Sequence, residues 1–255
     1  MNKITDSQIA PLRKWNIFAG LLHLASMVGV LALANGFTLP ITATYLAGPP
    51  GSNITSTISV LDANVSITIA IFLGLSAFFH FLVASGKFFP RYAAGLKANR
   101  NIFRWVEYSF SSSVMIFVIA QLNGISDYAT LLAIFGVNLS MILFGWLQER
   151  YAKPKDGDLL PFFFGCIAGL IPWIIIFVQL ISPGGPAEAT PPSFVYGIVI
   201  SLFILFNSFA LVQYKQYKAK GKWANYLRGE KAYIILSLVA KTVLAWQIFA
   251  GTLVG

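Results

Sequence analysis

The stretch EKAYIILSLVAKTVLAWQIFAGT, residues 230–252, decides the fold. It is long enough to cross a bilayer as one helix, because about 20 apolar residues span the hydrocarbon core. Lys241 stands near its centre, where a charged side chain costs roughly 3 kcal/mol to insert. A lysine at this depth needs a partner, a water-filled cavity or a chemical role. The other spans of the chain therefore have to supply its environment.

Composition places the whole chain in the same class as this stretch. Hydrophobic residues make up 57% of the 255 residues and charged residues 11%, whereas a soluble domain keeps about 25% of its residues charged. A hydropathy window of about 20 residues predicts an all-α seven-transmembrane-helix bundle, a single membrane domain over residues 1–255. The predicted spans are 15–33, 66–85, 102–122, 128–148, 160–181, 194–213 and 232–252.

The basic residues predict the orientation of the bundle. All but one of the 18 lysines and arginines fall in the N-terminal segment and in the loops on the same side of the membrane. The opposite loops hold only Asp62, Asp127 and Glu188 as charged residues. The positive-inside rule therefore predicts a multi-pass protein of the cell membrane with a cytoplasmic N-terminus and an outer C-terminus. We expect this basic surface to contact lipid head groups rather than nucleic acid, and a cytoplasmic protein partner stays open.

The longest outer loop, residues 35–65, predicts a small β-hairpin. FTLPITATYL and TSTISVL are rich in Thr, Ile and Val, and GPPGSN between them is a turn sequence. Asn53-Ile-Thr and Asn64-Val-Ser match the short N-glycosylation pattern, and we attribute both matches to chance.

Four ionisable side chains are predicted within the spans, apart from Tyr and Cys, and all lie between the midplane and the cytoplasm: Lys241, Glu107, His23 and His80. The pair Lys241 and Glu107 has two interpretations. It is a salt bridge that joins the third span to the seventh, or Lys241 carries an aldehyde chromophore as a protonated Schiff base with Glu107 as counter-ion. The second interpretation is favoured, because charges inside a membrane are functional by default.

Two serines belong to the same faces as this pair. Ser237 lies four residues before Lys241, and Ser111 lies four residues after Glu107. Residues four apart share a helical face. Their hydroxyls either join the proton network of the pair or bond back to a carbonyl of their own helix.

Several motifs together resemble the heliorhodopsin family over essentially the whole chain. They are HFLVASGKFF (80–89), RWVEYSFSSSVMI (104–116), ILFGWLQE (142–149), KDGDLLPF (155–162) and YIILSLVAK (233–241). The resemblance implies a retinal-binding seven-helix photoreceptor with its N-terminus inside, which agrees with the charge pattern. It implies all-trans retinal covalently bound to Lys241, Glu107 as counter-ion, Ser237 and Ser111 as neighbours, and a cytoplasmic-side polar cavity at His23 and His80.

The ring and polyene of the chromophore need an apolar pocket between the central helices. The candidates are Asn138, Met141, Ile142, Gly145, Pro172, Trp173, Phe203 and Phe206, with Trp246 nearby. Each of them is also consistent with ordinary packing of a bundle that contains 22 phenylalanines.

Other residues have two interpretations each. Arg104, Tyr226 and Glu230 form either an interfacial anchor belt or a hydrogen-bonded lid over the polar cavity. Gly165 and Gly169 form a small-xxx-small pair for contact between helices or for dimerisation. We expect a homodimer.

The composition of the outer half of the predicted bundle distinguishes a light sensor from an ion pump. It contains no carboxylate, His, Lys or Arg within the predicted spans, so it offers a poor path for protons. We therefore expect a light sensor that drives a conformational signal to an unknown cytoplasmic partner without net ion pumping. The alternatives are a light-driven or light-gated ion transporter, and a non-photoactive transporter with Lys241 and Glu107 as its substrate or proton site. Neither a catalytic nucleophile with its base nor a metal-ligand cluster is recognisable, so we expect no enzyme and no metal site.

Overall fold

The computed structural model describes residues 4–52, 54–181 and 191–252. Lys3 and Glu188 of the charge pattern and Asn53 of the glycosylation match lie outside the described residues. The helices are α1 (Asp6–Ala32), α2 (Val65–Ala84), α3 (Phe89–Lys97), α4 (Ile102–Leu122), α5 (Tyr128–Tyr151), α6 (Leu160–Ile181), α7 (Ser193–Lys218) and α8 (Tyr226–Thr252). The strands are β1 (Thr38–Leu46) and β2 (Thr55–Asn64), and a 3₁₀ turn (Gly221–Ala224) follows α7.

The predicted seven-helix bundle is confirmed. Seven of the described helices, all except α3, are long and apolar enough to cross a membrane. Neighbours along the chain pack side by side, and α1 closes the bundle by packing against both α2 and α8. The spanning helices α4 and α8, which carry Glu107 and Lys241, therefore run in the same direction through the bundle.

Four helices extend beyond their predicted ends on the side of the basic loops, among them α5, which continues to Tyr151. Helix α1 begins at Asp6, where Thr5 and Gln8 form a capping box. Helix α7 continues to Lys218, and α8 begins at Tyr226. Hydropathy misses these turns because a helix can continue in polar residues once it leaves the hydrocarbon core.

Helix α3 was not predicted. It lies in the connection between α2 and α4, which the basic residues marked as a loop. Its Pro90 stands in the first turn, where a missing N–H has no cost. Tyr92 and Leu96, one turn apart, are both buried against α1 and α8. The helix therefore closes the end of the bundle that holds the N-terminus, using one apolar face.

The predicted β-hairpin is confirmed. Strands β1 and β2 pair antiparallel, from Thr38 opposite Asn64 to Leu46 opposite Thr55, with an irregularity after Ile41. The Thr42 N–H donates to the Ser126 carbonyl at 2.8 Å, which fastens the hairpin to the connection between α4 and α5. The Asn64 side chain caps the N-terminus of α2.

The outer half of the bundle is packed with apolar side chains. The largest core cluster brings together buried residues from α1, α2 and α4 to α8, and among its fully buried members are Phe72, Ile116, Ile119, Leu202 and Leu244. Protein interiors of this kind leave few spaces as large as a water molecule. This half of the bundle is therefore a mainly apolar core, in which Gln121 and Asn123 are buried polar exceptions.

Candidate functional site

Lys241 of α8 and Glu107 of α4 form a buried ion pair. Lys241 Nζ lies 2.9 Å from Glu107 Oε1, and the two side chains are 4% and 5% exposed. The structure thus brings together the two residues that the sequence paired. Because an isolated charge at this depth is expensive, each group stabilises the charged form of the other.

Two serines complete the surroundings of the pair. Lys241 Nζ donates to Ser237 Oγ at 2.7 Å, so this serine, which the sequence named, lies beside the amine. The hydroxyl of Ser76 in α2 lies 2.6 Å from Glu107 Oε1 and stabilises the carboxylate. Ser76 was not predicted, although it lies four residues before His80 and the two side chains therefore share one face of α2.

A cavity of about 230 Å³ begins at Lys241 and extends between α4, α5, α6, α7 and α8. Its lining is mostly apolar and aromatic, as binding sites for apolar ligands are. The predicted residues that line it are Lys241, Ser237, Ser111, Met141, Ile142, Gly145, Trp173, Phe203 and Phe206. The sequence did not single out five further aromatic residues of the lining, Trp105, Tyr108, Phe162, Phe209 and Tyr233.

Three of the pocket candidates do not line this cavity in the described structure. Asn138 is buried behind it and donates to Ser112 Oγ at 2.9 Å and to Ser113 Oγ at 3.1 Å. Pro172 is buried next to the lining residue Trp173. Trp246 is 37% exposed and stacks edge-on against Phe249. Helical rotation explains these differences, because a position one residue away on a helix faces about 100° elsewhere.

The glycines beside the cavity have packing roles. A Cβ on Gly145 would lie 2.6 Å from the ring of Trp105, so the glycine makes room for that indole. A Cβ on Gly165 would meet the Met141 carbonyl at 3.3 Å, and one on Gly169 would meet the Met141 sulfur at 2.4 Å. The small-xxx-small pair therefore serves the contact of α6 with α5 of the same chain.

The cavity has the chemistry that retinal needs. Lys241 supplies an amine at one end, and the aromatic lining supplies an apolar surface for a polyene. Ser111 Oγ is fully buried on the lining and has no hydrogen-bond partner among the described residues. A buried hydroxyl without a partner is unfavourable in a finished core, and it is explained if a bound group contacts it. The residues present thus fit retinal as a cofactor.

The two histidines lie together close to the pair. The His23 and His80 rings stack with centroids 5.5 Å apart. His80 Nδ1 is 2.8 Å from Asn16 Oδ1, whereas His23 is fully buried and neither of its ring nitrogens has a partner in the described structure. This arrangement brings both predicted histidines to one polar region near Glu107.

Arg104 forms a second ionic layer closer to the end of the bundle that holds the N-terminus. Its guanidinium pairs with Glu149 of α5 and with Glu230 of α8, and all three side chains are buried. The Tyr226 hydroxyl donates to Glu149 Oε1 at 2.7 Å. These residues form a hydrogen-bonded lid and not an exposed anchor belt. The sequence left that choice open. Glu149 was not predicted to belong to the layer, because it follows the predicted end of its span and precedes Arg150, which was assigned to a loop.

The ionisable set inside the bundle is therefore larger than predicted. The prediction of four such side chains within the spans was wrong, because it treated Arg104 and Glu230 as helix ends. Both are within the described spanning helices and are 6% and 2% exposed. Apolar windows cannot find such residues, since only tertiary contacts with α3 and α5 bury them.

A small polar cavity of about 30 Å³ separates the two ionic layers. His80, Glu107, Tyr92, Arg104 and Glu230 are among its lining residues, and this volume is enough for one or two water molecules. Burial raises the pKa of Tyr92 in α3 well above its usual range. Tyr92 is therefore a neutral hydroxyl at physiological pH.

In the described ranges, no three His, Cys, Asp or Glu side chains lie close enough together to hold a metal ion.

The comparisons with known proteins agree with the motifs of the sequence. The family model described as Heliorhodopsin matches residues 12–253, which is nearly the whole chain. The predicted family resemblance is thereby confirmed. Among curated proteins no match was found.

Proposed function

Because the chain belongs to the heliorhodopsin family, we propose that it is a light sensor whose response starts at Lys241 and ends as a shape change at the cytoplasmic face. The family is one of retinal-binding rhodopsin photoreceptors, and the seven apolar helices make this chain a multi-pass membrane protein. The observation that carries the proposal is the buried pair of Lys241 and Glu107 at the end of an aromatic cavity.

Lys241, with all-trans retinal attached to its Nζ, is the centre of the proposed mechanism. Retinal, when bound, supplies the absorption of visible light and the isomerisation of a double bond. Glu107 holds a proton at Lys241 Nζ by compensating its charge, and Ser76 and Ser237 fix the two groups by hydrogen bonds. The aromatic lining keeps water away from the pair. Ser111 lies where its free hydroxyl can contact a bound group.

The proton that leaves Lys241 Nζ stays on the cytoplasmic side in this proposal. His23 and His80 lie in the polar region next to Glu107 and are the candidate acceptors. Farther from the N-terminal end than His23 and Lys241, the described spanning helices contain no Asp, Glu, His, Lys or Arg, and their core is closely packed. A proton thus has a place to go toward the cytoplasm and no path to the outside. We infer sensing without net ion transport.

Orientation and partners are parts of the same proposal. The N-terminus is cytoplasmic, because the basic residues gather on its side of the bundle. The signalling partner binds that basic surface, and the protein is a homodimer in the bilayer.

Reconstitution tests the role of Lys241. Purified protein with added all-trans retinal is expected to gain a visible absorption band that hydroxylamine bleaches. Lys241→Ala should lose this band completely, because no other lysine reaches the cavity in the described structure. The matched control is Lys231→Ala, whose ammonium stacks on Trp15 outside the cavity and whose loss should leave the band unchanged. A colourless wild-type product would contradict the photoreceptor and favour a transporter without chromophore.

Replacement of the counter-ion tests the role of Glu107. Glu107→Gln is expected to shift the visible band strongly to longer wavelength, because the carboxylate stabilises the positive charge at Lys241 Nζ in the ground state. The same change should let the proton leave Nζ at a lower pH than in the wild type. A spectrophotometric pH titration measures both effects, with Asp127→Asn at the outer end of α5 as the control. An unchanged band and titration would mean that Glu107 is not the counter-ion.

Light-driven transport is the competing outcome. Vesicles that contain the protein are expected to show no sustained change of pH and no steady current under illumination. Vesicles with Lys241→Ala serve as the control for heating and scattering. A sustained, ionophore-sensitive flux in the wild type alone would replace the sensor with a pump or channel.

Cysteine labelling tests the orientation. With Cys166 replaced by Ser, an impermeant maleimide applied to intact cells should label Thr57→Cys in the hairpin and should spare Lys97→Cys in α3. The reverse pattern would place the N-terminus outside.

A further inference from the structure

The Arg104 layer has an unbalanced charge. Its members Arg104, Glu149 and Glu230 have side chains that are 3% to 4% exposed. Two carboxylates share one guanidinium, and no other cation of the described residues forms an ion pair with either of them. With both carboxylates ionised, the layer would bury a net charge of −1.

A buried charge without compensation is costly, and two carboxylates in one site resist simultaneous ionisation. A single bound proton removes this cost. The pair of Lys241 and Glu107, whose carboxylate lies one turn beyond Arg104 on α4, is already balanced, so it does not supply the missing positive charge.

The hydrogen bonds of Glu149 and Glu230 indicate which of the two carboxylates can bind the proton. Glu149 accepts from four groups: the Arg104 guanidinium, the Tyr226 hydroxyl, the Asn101 backbone N–H and the Trp105 indole N–H. Four bonds fill the four acceptor positions of a carboxylate. Glu149 is therefore suited to remain ionised.

Glu230 has fewer and more adaptable partners. It accepts from Arg104 Nη1, from Asn101 Nδ2 at 2.7 Å and from the Tyr92 hydroxyl at 3.1 Å. One acceptor position stays free. The Tyr92 hydroxyl can also accept a hydrogen bond, so it can face a protonated Glu230 without losing the contact.

We propose that Glu230 is a second proton-binding site, which holds a proton in the resting protein and gives the Arg104 layer a net charge of zero. This site is separate from Lys241, and its proton is present before any light is absorbed. The proposal rests on the charge and hydrogen-bond count of the layer and does not depend on the proposed function.

Charged and titratable groups face Glu230 from several elements. They are Tyr92 of α3, Arg104, Glu107 and Tyr108 of α4, Glu149 of α5, Tyr226 and Tyr233 of α8 itself, and His80 of α2 across the small cavity. Arg104 is the permanent cation of this set, and its charge is already required by Glu149.

The position of Glu230 makes its proton sensitive to movement of α8. Glu230 and Lys241 belong to the same helix, 11 residues or about 16 Å apart along its axis. A chain of contacts also links Glu230 to His80 through Tyr92 and Asn16, with distances of 3.1, 3.4 and 2.8 Å. A movement of α8 that separates Glu230 from Arg104 changes the surroundings of this proton. The protonation of Glu230 therefore responds to the position of the helix.

Infrared spectroscopy of the retinal-loaded protein in the dark tests the proposal. At neutral pH the wild type should show the C=O stretch of a protonated carboxyl group, which shifts in D₂O. Glu230→Gln should abolish this band. Glu149→Gln should abolish it too, because Arg104 then faces one carboxylate and Glu230 ionises. The exposed control Asp156→Asn should keep the band.

The visible band of each variant shows that it has folded around retinal, and either glutamine variant alone is informative if the other does not fold. The absence of a protonated-carboxyl band from the wild type would overturn the proposal. A band that survives Glu230→Gln would overturn it as well, and one that survives Glu149→Gln would overturn the charge balance on which it rests.

Discussion

The rest of the structure depends on one buried ion pair, Lys241 with Glu107. An ammonium or a carboxylate alone in the middle of a bundle would destabilise it by several kcal/mol. The pair fixes α8 against α4 at 2.9 Å, and Ser76 brings α2 to the same point. The aromatic cavity starts at this position, so the reactive amine and the binding surface are parts of one arrangement.

The two halves of the bundle differ in polarity, and this difference gives the site a direction. Toward the end of the bundle that holds the N-terminus, the pair continues into the histidines, a small polar cavity and the Arg104 layer. Toward the opposite end, the described helices pack around α4 mainly with apolar side chains, and Gln121 and Asn123 are buried polar exceptions. Helices α4 and α8 take part in both ionic layers, so a displacement at Lys241 acts on Arg104 through rigid elements as well as through hydrogen bonds. The two ionic layers are therefore mechanically coupled through α4 and α8.

Much of this could be predicted from the sequence, and the failures have physical causes. The seven spans and the hairpin follow from hydropathy and from strand-forming residues, and they are confirmed. The pairing of Lys241 with Glu107 was predicted because few charges were available within the spans. Glu149, Ser76 and the five additional aromatic residues of the cavity were missed. Serines and aromatic residues are common in every span, and only their helical rotation in the folded bundle selects those that face the cavity.

By itself, the sequence determined the membrane fold, the family and the expected side of the membrane, because these depend on hydropathy, motifs and charge along the chain. Only the tertiary structure decided that Arg104, Glu149 and Glu230 form a buried layer, since the three come from different helices and look like exposed helix ends in one dimension. It also decided that Asn138 lies behind the cavity, whereas Ser111 lines it with a free hydroxyl. Burial and hydrogen bonding are properties of neighbours in space, and the order of residues does not contain them directly.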